Sequence, residues 1–186
     1  MRGHMTTRDR RQRGATIVEA AIVFPVLILT VVGLLEFGLV FKDFLTVSFA
    51  AREGARIGAL VGNDVDADCQ IIQGVIGELG TNLVTDGTIT HIEIFQADPA
   101  TGNPGLTNDW TYTGSDPTDC LDWTPLPYNY PEGNFRNVVA GPSKPLDILG
   151  VTISASHDYI TNMPPFGGTI NLSESAIQRL EPEAFE

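Results

Sequence analysis

The sequence predicts an α+β protein. A long amino-terminal transmembrane and stem helix leads into a small extracytoplasmic domain, with one helix on an antiparallel sheet of three or four strands. Three observations carry this expectation. Residues 20–41 form an apolar run broken by one charge, Glu36. Basic residues precede that run and acidic ones follow it. Beyond residue 62 the apolar spacing is first helical and then alternating, as a helix followed by strands requires.

The apolar run of 22 residues would make about 33 Å of helix, enough to cross a hydrocarbon core of roughly 30 Å. Residues 1–14 hold five arginines against Asp9, a net charge of +4. Residues 57–186 hold 18 acids against Arg136, Lys144 and Arg179, a net of −15. Basic residues beside a span stay in the cytoplasm, so a single-pass orientation is expected with residues 1–14 inside and the acidic domain outside. Acidity on that scale argues against nucleic acid as a partner, because phosphate would be repelled.

Three segments follow from this division: a disordered basic leader (1–14), a transmembrane helix and stem (15–62), and the extracytoplasmic domain (63–186). Helix is expected from Ala15 to Val61, since residues 41–61 contain no proline and the first loop signal is Gly62-Asn63-Asp64. About 20 of its residues would project as a stem beyond the bilayer, at 1.5 Å of rise each. Small residues recur along the stem, with Ala50, Gly54 and Gly58 in one row and Ala51, Ala55 and Ala59 beside it. Such rows let another backbone approach closely. The backbone that does so is either a partner helix, making these residues assembly contacts, or the protein's own domain. Arg52 and Arg56 both stand within reach of Glu53, a surface ion-pair cluster of little energetic weight.

Within the domain, Ile72, Val75, Ile76, Leu79 and Leu83 fall at helical spacing across residues 69–84. Residues 88–96 are rich in β-branched side chains and read as a strand. Residues 98–145 are dense in Pro, Gly, Asp, Asn and Thr. They read as a long loop, with a short hairpin near Trp110–Thr113 and the aromatics Trp110, Tyr112, Trp123, Tyr128 and Tyr130 set among them. Val151, Ile153, Ala155, His157 and Tyr159 alternate with polar residues, predicting a half-buried strand over 146–160. A Pro164-Pro165 turn then leads to a last strand over 169–177. Cys69 and Cys120 both fall on the side expected to be exported, where oxidation is allowed. They form one disulfide or remain two free thiols.

No catalytic signature emerges. His4, His91 and His157 are scattered, no serine sits in a nucleophile elbow, and no Gly-rich phosphate loop occurs. Asp98, Asn103, Asn108 and Asp109 carry oxygen ligands but lack EF-hand spacing and suit turns better. Asp64, Asp66 and Asp68 lie near Cys69 without the cysteine or histidine pair of a metal site. The sequence gives no reason to expect an enzyme, a cofactor or a bound metal.

The amino-terminal constellation carries more. Gly14 closes the basic stretch, Ala15 opens the apolar one, Glu19 is the fifth residue after Gly14, and Pro25 follows. A carboxylate at the head of a membrane-length run is costly and calls for a use. Gly14, four residues and then Glu19 resemble the site cut by prepilin peptidases in type IV pilin-like precursors. "RRQRGATIVEAAIVFPVLILTVVGLLEFG" with "AAREGAR" (50–56) resembles the amino-terminal region of TadE-like proteins of the Tad (Flp) pilus machinery, and "LSESAIQRLEP" (172–182) resembles the family's closing strand and tail. Flp-type pilins usually carry an aromatic after the glutamate; this chain has Ala20.

The resemblance implies a minor pilin or pseudopilin cut between Gly14 and Ala15. Its partners would be a prepilin peptidase, other pilin or pseudopilin subunits, the Tad inner-membrane assembly machinery and membrane lipid. It implies that Glu19 pairs with the freed α-amino group of a neighbouring subunit, which would relieve a carboxylate held in low dielectric. Pro25 would let the helix bend between bilayer and filament, and Glu36 would mark the outer membrane surface or touch a partner. Two other readings remain: an anchored domain that binds an extracellular ligand through the aromatic 98–145 loop, and a secretory signal cut near Ala50. The length of the apolar run and Glu36 count against the second.

Overall fold

The computed structural model describes residues 7–81, 83, 86–133, 135–139, 145–161 and 167–182, with helix side chains described from residue 15. Helix α1 (Thr7–Val61) is followed by α2 (Ala67–Leu79), then β1 (Ile89–Ala97), β2 (Pro104–Tyr112), a 3-10 turn at Cys120–Asp122, β3 (Trp123–Tyr128), β4 (Ile148–Asp158) and β5 (Thr169–Arg179). All strand pairs are antiparallel, in the order β3-β2-β1-β4-β5. The class is α+β: a long amino-terminal apolar helix, then a small domain with one helix on a five-stranded antiparallel sheet.

Helix α1 begins eight residues before the expected Ala15, because Arg and Gln are good helix formers and nothing in residues 7–13 breaks the ladder. The disorder expected of residues 1–6 and the Pro164-Pro165 turn lie outside the described residues. Helix α2 ends where Gly80 takes a positive φ of 83° and donates its N–H to the Ile76 carbonyl, a conformation that glycine adopts without steric cost.

The chain divides into two compact units. One comprises Met1–Val40 with Tyr159–Gly168, the other Phe41–Asp158 with Thr169–Glu186. In the second unit the inner sheet face presents Ile92 and Ile94 of β1 and Leu149, Val151, Ile153 and Ala155 of β4, all at most 3% exposed. Strand register sets Ile92 opposite Ile153 and Ile94 opposite Val151. Ile71, Ile72, Val75, Ile76 and Leu79 of α2 and Val47, Ala50, Ala51 and Ala55 of α1 close over that face as one cluster. Beyond β5, Leu180 donates its N–H to Asp147 and Glu181 donates to Ala59, tying the tail to the end of α1.

The 98–145 segment departs most from the expectation of a long loop. It supplies β2 and β3, so the sheet has five strands rather than three or four. β3 (WTPLPY) contains two prolines and is an edge strand, the position where missing N–H donors are tolerated. β2 (PGLTNDWTY) lacks the β-branched density of a typical strand, and its pairing to β1 compensates. A disulfide joins Cys69 at the start of α2 to Cys120, with Cα atoms 5.4 Å apart.

Candidate functional site: the apolar amino-terminal helix

Helix α1 continues unbroken through Pro25, although proline has no N–H to give the ladder. Residues 15–31 are all exposed. Between Ala15 and Val61 the helix has one stretch long and apolar enough to cross a membrane, and none of that stretch is buried within the protein. Ile17, Ile22, Phe24 and Val26 are each more than 60% exposed, which water would not favour. Gly14 and Ala15 are helical positions, and Glu19 lies one turn beyond Ala15, a rise of about 6 Å. Among the described residues Glu19 has no hydrogen-bond or ion-pair partner, and it is exposed.

Glu36 is different. It is 1% exposed, and its carboxylate accepts hydrogen bonds from the backbone N–H of Thr161 at 2.7 Å and of Ile160 at 3.3 Å. Its contact is with a later segment of its own chain.

The small-residue rows of the stem pack within the chain, the second of the two alternatives their spacing left open. Ala50, Ala51, Ala55 and Ala59 are at most 2% exposed, beneath the sheet and α2. A Cβ on Gly54 would stand 2.6 Å from a Val75 methyl and 3.2 Å from a Val151 methyl; one on Gly58 would stand 2.5 Å from Leu149. The close backbone approach made possible by these residues is to the protein's own core. On the outer side, Arg56 pairs with Glu53 through two bonds of 2.8 and 2.5 Å, whereas Arg52 lies over the Phe49 ring, 6.0 Å from its centroid.

Sequence reasoning missed a buried polar cluster. Asp68, on α2 and fully buried, pairs with the buried guanidinium of Arg136. Its Oδ2 accepts from Asn108 Nδ2 at 2.8 Å and from Trp110 Nε1 at 3.2 Å. Asn108 in turn accepts from the Tyr130 N–H and donates to the Tyr130 carbonyl, while Arg136 lies 4.6 Å from the Tyr130 ring centroid. Burial, followed by the nearby Asp147 carboxylate, pushes the Tyr130 phenol up. The one available signal was Arg136 itself, the first cation after Arg56 in a long acidic stretch.

This cluster bears on the ligand-binding reading of the 98–145 loop. Trp123 and Tyr130 are buried and Trp110 and Tyr112 half-buried, so these four serve the core, whereas Tyr128 is 43% exposed. Asp98 caps its own turn, accepting from Ala100 N–H, Thr101 N–H and Thr101 Oγ1, and those bonds hold its carboxyl below the usual range.

No curated protein and no solved structure matches the chain. One family model does, over the stretch that holds Gly14, Glu19, Pro25, Glu36 and the small-residue rows: residues 14–56 match the family described as TadE-like protein.

Proposed function

We propose that this chain is a TadE-like minor pilin or pseudopilin that contributes to assembly of a Tad (Flp) pilus or a related secretion apparatus. The TadE-like match points to a protein associated with the Tad pilus, structural rather than enzymatic. In the finer reading, the chain is inserted with its amino terminus in the cytoplasm, cut by a prepilin peptidase between Gly14 and Ala15, and assembled through Glu19 with other pilin subunits and the Tad inner-membrane machinery.

The observation that carries this reading is Glu19: an exposed carboxylate, unpartnered among the described residues, in an uncovered apolar helix, one turn from Ala15. Leaving it in hydrocarbon without a partner is costly, and a freed α-amino group of a neighbour would supply the opposite charge. Two variants in a piliated host test this. Gly14→Leu should leave an uncut precursor in the membrane, read by amino-terminal mass spectrometry. Glu19→Gln removes the charge but keeps the shape and inserts at lower cost. It should be cut at Ala15 yet fail to support pili or to co-purify with pilin subunits. Normal piliation by the cut Glu19→Gln protein would refute the charge-pairing role.

A further inference from the structure

Glu36 lies 16 residues into the apolar run that starts at Ala20, about 24 Å along a helix of roughly 33 Å. It therefore precedes the end of the run at Phe41 by some 8 Å at 1.5 Å per residue. Its helix neighbours Leu34, Leu35 and Phe37 are 68%, 63% and 68% exposed, while Glu36 itself is 1% exposed. What covers it is the beginning of the segment between β4 and β5, whose amides at Ile160 and Thr161 donate to the two carboxylate oxygens.

That segment is unusual in this acidic chain. From Tyr159 to Ser173 there is no charged residue. Ile160 is 72% exposed, and with Leu34, Leu35, Leu39 and Thr161 it lines a groove of about 420 Å³ over Glu36. The apolar surface of the helix thus runs without interruption onto Ile160.

We propose that residues 159–161 enter the outer leaflet beside α1, where lipid acyl chains cover Ile160 and fill the groove, and that Glu36 anchors them there. The inference rests on reading residues 20–41 as a membrane span. Irregular backbone is tolerated at hydrocarbon depth only when its polar groups find partners in protein, and a carboxylate there is tolerated only when it too is bonded. For the amides of Ile160 and Thr161 and for the carboxylate, each partner here meets that need of the other. The Glu36 carboxylate accepts the two amides that lipid could not accept, and the two amides solvate a charge that lipid would expel. An aqueous location offers no comparable reason to bury a carboxylate on otherwise bare backbone donors, or to leave Ile160 beside Leu34 and Leu35 in the open. The chain would then touch the bilayer twice, once through the span and once through this segment.

The test uses the full chain reconstituted alone into phosphatidylcholine vesicles. An NBD label is placed on Ile160→Cys, with Leu27→Cys as a control inside the span and Leu126→Cys, at a position 83% exposed, as a control in water. The native cysteines are bridged and do not label. Quenching by lipid bearing a doxyl group at acyl carbon 5 should be at least half as strong at position 160 as at 27, with iodide quenching several-fold weaker than at 126. In a Glu36→Ala background, acyl quenching at 160 should fall at least twofold while position 27 is unchanged. Water-like behaviour at 160 with lipid-like behaviour at 27 would overturn the inference and leave the span standing. Water-like behaviour at both positions would overturn the span and the inference together. Protection at 160 from both quenchers would show protein rather than lipid over the site, and unchanged quenching in Glu36→Ala would remove Glu36 as the anchor.

Discussion

Asp68 is bonded by three donors from two segments distant in the chain: the guanidinium of Arg136, and the Asn108 amide and Trp110 indole of β2. Its own N–H donates to the Glu132 carboxylate at 2.7 Å. Removing one member of a buried pair leaves the other charge without compensation, which typically costs about 3–5 kcal/mol. Asp68→Ala should therefore destabilise the folded protein by about that amount, read as a denaturation midpoint in detergent. Asp68→Leu combined with Arg136→Leu should lose clearly less than Asp68→Ala, because no buried charge is stranded. A double variant as unstable as the single one would mean that the hydrogen bonds to Asn108 and Trp110, rather than the ion pair, set the cost. Gly54 poses the opposite problem, too little room. Gly54→Leu would drive a side chain into Val75 and Val151 and should cost about 1–3 kcal/mol as overpacking. A stability equal to that of the parent would show that the α1 face is loosely packed and free for another chain.

At the scale of elements, strands β1 and β2 set Glu93 directly opposite Asp109. Like charges placed opposite each other destabilise a sheet. Burial first, and the Asp109 charge second, raise the Glu93 carboxyl above its ordinary range. A raised pKa means that the native state holds the proton more tightly than the unfolded chain. The resulting stability is present below the unfolded value near 4.5 and is lost as pH rises through the higher folded value. Glu93→Gln should thus raise the melting temperature at pH 7, change it little at pH 4, and flatten the pH dependence between them. A melting curve shifted equally at both pH values would rule out the titration of Glu93 as the cause. The same strands show why the sequence was only partly legible. Helix α2 and strands β1, β4 and β5 announce themselves by period, because each presents one apolar stripe to one core. β2 and β3 do not: Asn108 occupies an inward position that periodicity reserves for an apolar residue, and Pro125 and Pro127 lie in an edge strand. Asn108 is inward because Asp68 is buried behind it, a pairing across 40 residues that local patterns do not encode. In α1 the small-residue rows were legible as a close-approach surface, but which backbone approaches depends on the tertiary fold.

At the scale of the whole molecule, charge and oxidation are linked. The sequence puts a net +4 before the apolar run and a net −15 after residue 56, which favours retaining the amino terminus in the cytoplasm and exporting the rest. Cys69 and Cys120 lie 51 residues apart and are bridged; the bridge encloses most of α2 together with β1 and β2. On the chain-entropy account, closing a loop of that length stabilises by about 4 kcal/mol, a large part of the roughly 5–15 kcal/mol that holds a domain of ordinary size together. A cytoplasmic location would forfeit this contribution, since thiols there are kept reduced. Non-reducing peptide mapping of protein taken from its native envelope should therefore find the Cys69–Cys120 cross-link. Cys69→Ala with Cys120→Ala should lower the unfolding free energy by about 4 kcal/mol relative to the oxidised parent. The same double variant should match the parent once that parent is chemically reduced. Two alkylatable thiols in the native protein would overturn the predicted orientation, since the bridged geometry is available and only a reducing compartment would keep the thiols apart.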